Sequence, residues 1–144
     1  MGNFSLSSWK NTGIIIAMSE TIDEYIKRKP NHEEFHKYLC SLLDEKSMSD
    51  PEAYKRAGID RRLWSKIMSD ESYRPNKRTV CMLVIALRLD YHECKHLIKS
   101  AGYILNRDTF DLVIRYCVQE GIYDPIQVDS LLVEKNLEPL FSEQ

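Results

Sequence analysis

The chain holds 144 residues, a length on the order of one compact domain. Its 20 Lys and Arg stand against 22 Asp and Glu, a net charge of −2 that excludes a uniformly basic nucleic-acid coat but leaves room for a local patch. A hydrophobic share of 43% and a charged share of 29% describe a globular chain, far from the disordered range.

Residues 1–17 read as a leader with Ser and Asn clusters. The longest apolar runs, Ile14–Met18 and Val80–Leu87, fall short of the ~18 residues of a membrane span. Ile14–Met18 is also shorter than the ~7–15 residues of a secretory signal core. Met1-Gly2-Asn3-Phe4-Ser5-Leu6 approaches a myristoylation pattern, but Leu6 stands where Ser or Thr is required. The expectation is a cytoplasmic protein with no membrane partner.

Helical spacing dominates from there on, and strand alternation is absent. A short helix is expected over 19–28, ended by the Lys29-Pro30 step. The next runs over 32–46, where Phe35, Leu39, Leu42 and Leu43 repeat at helical spacing. Ser49-Asp50-Pro51-Glu52 supplies a cap, an early proline and early acid for a helix that stops at Ala57-Gly58. Asp60 caps a helix over 61–68, with Leu63, Trp64 and Ile67 apolar and Trp64 and Ile67 assigned to the core. After the polar stretch 69–76, a helix over 77–89 is apolar on every side across Val80–Leu87, which makes it the buried central one. Asp90-x-x-Glu93 opens a helix that ends at Ala101-Gly102. A helix over 107–120 carries Phe110, Val113, Ile114 and Cys117 on one face, and Asp124-Pro125 opens the last. Gly58, Gly102 and Gly121 each follow a helical run, where a left-handed cap wants glycine.

The two short helices over 50–68, joined by a tight turn, have helix-turn-helix spacing. The carrying residues are Lys55-Arg56-Ala57-Gly58-Ile59-Asp60-Arg61-Arg62-Leu63-Trp64-Ser65-Lys66-Ile67, then Arg74-Pro75-Asn76-Lys77-Arg78-Thr79, then Ile85-Ala86-Leu87-Arg88-Leu89-Asp90. On these residues the stretch Met48–Tyr103 resembles the lambda-repressor-like, XRE-type helix-turn-helix domain. The tail, with Ala101-Gly102-Tyr103, Phe110-Asp111-Leu112 and Gly121-Ile122-Tyr123-Asp124, resembles a bacterial subfamily in which this module occurs beside macro-type and other regulatory or defence domains. The resemblance implies that the helix at 61–68 enters the major groove, its first turn facing bases. Arg61 and Arg62 would then read bases or phosphates, with Ser65 and Lys66 farther along, and Arg74, Lys77 and Arg78 would reach phosphates.

Charge is distributed accordingly. Residues 55–78 hold eight basic and three acidic residues, a net +5, whereas the rest hold 12 basic and 19 acidic, a net −7. Such a polarised surface is the electrostatic footprint of a nucleic-acid binder, though basic runs are also often plain solvated faces. Two positions differ from the family pattern. Asp50 stands where DNA-binding members often carry a phosphate-contacting Gln, and Tyr54 replaces the small residue at which the two helices cross. Both leave open an adaptor that binds another protein.

Other patterns are weaker. His32-Glu33-Glu34-Phe35-His36 matches H-E-x-x-H, the zinc-protease helix signature, but no metzincin-like Gly and His follow and no sheet supports it. His92 and His96 lie one turn apart on what reads as a solvated helix surface. Cys40, Cys81, Cys94 and Cys117 show no C-x-x-C spacing and read as buried free thiols. The five glycines form no phosphate-cradling loop. Residues 108–144 carry eight acidic residues against Arg115 and Lys135, a net −6 that is too acidic to follow a DNA backbone, so their apolar stripes are expected to pack on the core or on a partner.

The expected architecture is therefore all-α. Residues 1–30 form a leader and short helix, 31–103 a five-helix repressor-like helix-turn-helix core, and 104–144 a C-terminal helical pair packed on it. The expected function is sequence-specific binding of double-stranded DNA by a bacterial transcription regulator, as a homodimer or with a protein partner. No catalytic residue, metal or cofactor is expected. The alternative is a non-enzymatic adaptor of a toxin or defence system on the same scaffold.

Overall fold

The structure is a computed structural model that describes residues 19–28 and 32–142, so the leader and the Lys29-Pro30 step lie outside the described residues. These are helical throughout, with eight helices and no strand among them. The chain divides into two compact units, 1–30 and 31–144. In the first, helix α1 spans Ile22–Arg28. The Thr21 hydroxyl accepts from the Glu24 amide at 3.1 Å, and the Glu24 carboxylate accepts from the Thr21 amide at 2.9 Å. This reciprocal cap fixes the start at residue 22, later than the expected 19.

The second unit holds α2 (His32–Glu45), α3 (Asp50–Ala57), α4 (Arg61–Ser69), α5 (Lys77–Ala86), α6 (Tyr91–Ser100), α7 (Thr109–Glu120) and α8 (Pro125–Glu134). Six of them start alike. The side chains of Ser49, Asp60, Asn76, Asp90, Asp108 and Asp124 each accept from the backbone amide three residues on, satisfying one orphan donor per helix.

Their ends share a second device. Ser47, Gly58, Arg88, Gly102, Gly121 and Asn136 adopt left-handed backbone, with φ between 52° and 91°. The amide of the next residue then reaches back five positions: Met48 to Leu43, Ile59 to Tyr54, Leu89 to Val84, Tyr103 to Ile98, Ile122 to Cys117 and Leu137 to Leu132. In all six cases that residue is apolar and packs on or in the core, so each helix end doubles as a core contact. Helix α4 is the exception, ending at Asp70 in extended backbone. Helix α5 stops at Ala86, short of the expected 89, because Arg88 takes the left-handed position without a glycine to announce it.

Helix α5 is the central element. All its residues from Thr79 to Ala86 are buried except the half-buried Met82, and Leu87 and Leu89 continue the core beyond its end. It packs against α3 and α6; α6 in turn meets α2 and α7, and α7 meets α8. Burial of large aliphatic side chains such as Leu39, Leu83, Leu97, Ile114 and Leu132 contributes roughly 1.5–3 kcal/mol each. The last turn of chain is tied down by Asp129, whose carboxylate accepts from the amides of Leu140, Phe141 and Ser142 and from the Ser142 hydroxyl.

Candidate nucleic-acid interface

Helices α3 and α4 are short, and their junction is held from several directions. Gly58, at φ 71°, turns the chain out of α3, and Asp60 restarts it by accepting from the Leu63 amide at 2.8 Å. Between them Ile59 is buried, so the three-residue turn is pinned to the core. Ala53 and Ala57 on α3, and Trp64 and Ile67 on α4, form the buried seam. The Trp64 indole donates to Asp50 Oδ2 at 3.1 Å, and its ring lies 6.1 Å from that of Tyr54. Asp50, at the start of α3, and Tyr54, in its second turn, thus both engage Trp64 and lock α3 to the middle of α4.

With Trp64 and Ile67 turned inward, the exposed face of α4 carries Arg61, Arg62, Ser65 and Lys66. Arg61 and Arg62 occupy the first turn and have no ion-pair or hydrogen-bond partner among the described residues. The helix dipole adds its positive end to their charges. The Lys66 ammonium lies 4.8 Å from the Tyr73 ring centroid, and the Ser65 carbonyl accepts from the Ser69 hydroxyl. Just beyond the helix, hydrogen bonds from the Ser72 hydroxyl and amide hold the Asp70 carboxyl below the usual carboxylate range. On α3, Lys55 and Arg56 are exposed, and Arg56 pairs with Glu52 at 2.9 Å in a solvated i,i+4 bridge of small energetic weight.

The other three expected phosphate contacts are engaged within the fold. Arg74 donates from Nε to the Ala101 carbonyl at 3.0 Å and from Nη2 to that of Gly102 at 3.1 Å, with its guanidinium 4.3 Å from the Tyr103 ring. Gly102 serves this contact twice: its φ is +91°, and a Cβ there would lie 3.0 Å from Arg74 Nη2. The Lys77 ammonium donates to Asp111 Oδ2 at 2.6 Å, and Asp111 is 1% exposed. Arg78 donates to the Pro139 carbonyl at 2.7 Å and sits 5.4 Å from the Phe110 ring. All three cations connect the α4–α5 segment to residues 101–139. Lys77 is thus engaged by a buried carboxylate, whereas Arg74 and Arg78 stay exposed.

Sequence reasoning counted Asp111 and Asp129 as surface acidity, whereas both are buried acceptors. The readable signal for Asp111 is its place between Phe110 and Val113, next to an apolar stripe. The basic cluster Lys95, Lys99 and Arg115 also escaped notice, although the i,i+4 spacing of the two lysines marks a common helix face.

Of the described histidines, His36 and His96 make packing contacts and His92 is exposed. His36 Nε2 donates to the Met68 carbonyl at 2.7 Å, joining α2 to the end of α4, while the His32 side chain lies outside the described residues. His96 stacks on Tyr38 with centroids 3.9 Å apart and planes inclined by 23°. No helix among the described residues is long and apolar enough to cross a membrane. No protein-family model, curated protein or solved structure matches the chain significantly.

Proposed function

We propose that the chain is a sequence-specific DNA-binding regulator of the lambda-repressor-like helix-turn-helix type, with α3 and α4 as the two helices of the motif and α4 in the major groove. The observation that carries this reading is that Arg61 and Arg62, on the exposed first turn of α4, have no partner among the described residues. An arginine there can grip guanine bidentately, or hold a phosphate without reading sequence. Ser65 and Lys66 extend the same face. The protein acts from the cytoplasm, as a homodimer whose two half-sites multiply discrimination.

Because Arg74, Lys77 and Arg78 are held by carbonyls and by Asp111, the interface has few phosphate contacts. About three or four from Arg61, Arg62, Lys66 and Lys55 give a slope of log affinity against log salt near −3, shallow for a DNA-binding protein. Titration of labelled duplexes at about 50 and 200 mM salt, with unlabelled random DNA as competitor, tests the reading. The expected result is a site retained against competitor and lost in the Arg61→Ala/Arg62→Ala double variant.

The scarcity of phosphate contacts also favours a second reading, an adaptor of a bacterial toxin or defence system that presents α4 to another protein. It predicts that wild type and the double variant bind every duplex equally weakly.

A further inference from the structure

Helices α6 and α7 and the loop after Gly102 enclose a cleft of about 190 Å³. Its walls include Tyr91, Tyr103 and Ile104, and its charged groups are Lys95, Lys99 and Arg115, with no acidic residue among the lining side chains. Three cations crowd one small, largely apolar space. Arg115 Nε is buried and has no hydrogen-bond partner among the described residues. The Arg115 guanidinium lies 5.7 Å from the Tyr91 centroid and the Lys95 ammonium 4.7 Å from it, so two like charges share one ring, and neither has an ion-pair partner among the described residues. Cation–ring contacts offset part of that repulsion, but they leave the guanidinium and ammonium donors without an anion. The opposite wall is already rigid. Tyr103 donates its hydroxyl to the Pro75 carbonyl at 2.9 Å and is covered by the Arg74 guanidinium.

We propose that this cleft is a binding site for a small organic anion, a carboxylate or phosphate carried on a flat apolar body. The anion neutralises Arg115, Lys95 and Lys99, and the body lies between the tyrosine walls beside Ile104. A cleft of this size admits a single substituted ring. Tyr91, Tyr103 and Arg115 are half-buried and Lys95 and Lys99 exposed at its rim, and a concavity with apolar walls and a few convergent polar groups is the usual make-up of such sites. None of the residues lining the cleft is among those assigned to DNA, so it stands or falls independently of that reading.

The test is isothermal titration of the whole chain with benzoate and phenyl phosphate, alongside inorganic phosphate and benzamide. The expected result is saturable one-to-one binding of benzoate or phenyl phosphate, at least tenfold tighter than inorganic phosphate, with none detected for benzamide. Arg115→Gln weakens it at least tenfold. Lys99→Gln, at an exposed position, weakens it several-fold with an unchanged melting temperature, which covers the case in which Arg115→Gln fails to fold. Absence of binding by either aromatic anion overturns the proposal. So does equal affinity for inorganic phosphate, or binding unaffected by both substitutions.

Discussion

The indole nitrogen of Trp64 donates to the carboxylate of Asp50 across 3.1 Å, so the acid whose charge sign argues against a phosphate contact is the residue that anchors α4. Trp64 is 4% exposed, and no other polar group contacts its ring nitrogen among the described residues. Asp50→Leu strands that donor and destabilises the fold by about 1–3 kcal/mol. Asp50→Asn, which keeps a carbonyl acceptor, costs less than half of that. Trp64→Ala costs about 3–5 kcal/mol, enough to unfold a marginal domain. Urea denaturation of the three variants checks the order; equal stability of Asp50→Leu and wild type contradicts it.

Lys77 and Asp111 form the second structural bond that surface reasoning overlooks. Removing the cation leaves a carboxylate that is 1% exposed with only the Asn106 amide donating to it, and Lys77→Met is expected to cost about 3 kcal/mol. The double change Lys77→Met/Asp111→Leu recovers most of this, because an apolar pair needs no compensation. If Lys77→Met instead leaves stability intact and weakens DNA binding at all sequences, Lys77 is a phosphate contact and the ion pair is incidental.

Burial raises all four thiols, Cys40 in direction, Cys81 and Cys94 to about 12 and Cys117 to about 11. Below the ordinary thiol pKa both folded and unfolded chains keep these protons, and stability is complete. As pH rises beyond it the unfolded chain releases them while the folded chain does not, so each thiol costs ~1.4 kcal/mol per pH unit until its own folded value is reached. Denaturation midpoints should therefore fall steeply between about pH 9 and pH 11, and Cys81→Ala should flatten the fall. A profile without alkaline loss contradicts the burial of these groups.

Asp129 gathers three amides and a hydroxyl from the chain end. Asp129→Ala should cost about 2 kcal/mol and release the amides of residues 140–142 to hydrogen exchange before any other segment of the second unit. Global acceleration of exchange with no local difference would show that the clasp is not a separate contact.

These cases show what the sequence exposes and what it hides. Caps are local chemistry, so Ser49, Asp60, Asp124 and the Asp90–Glu93 box were readable as helix starts, and Gly58, Gly102 and Gly121 as helix ends. Arg88 and Asn136 do the same work in left-handed backbone without glycine's signature, and the α5 boundary was misplaced accordingly. Asp111 and Asp129 look like surface acids until tertiary packing supplies Lys77 and the chain end as partners. In the candidate site, the exposed face of α4 followed from the apolar positions of Trp64 and Ile67. The engagement of Arg74, Lys77 and Arg78 depends on residues 27 to 61 positions away, which spacing along a helix cannot reveal.

The assignment of α4 as a reading helix is tested most directly by equilibrium binding of wild type and Arg62→Ala to a duplex selected from random sequence, against its scrambled counterpart. Wild type is expected to prefer the selected duplex, and Arg62→Ala to lose about 1–3 kcal/mol on it while binding the scrambled duplex nearly as wild type does. Identical affinities of wild type for the two duplexes, or a selected-site affinity untouched by Arg62→Ala, would contradict it.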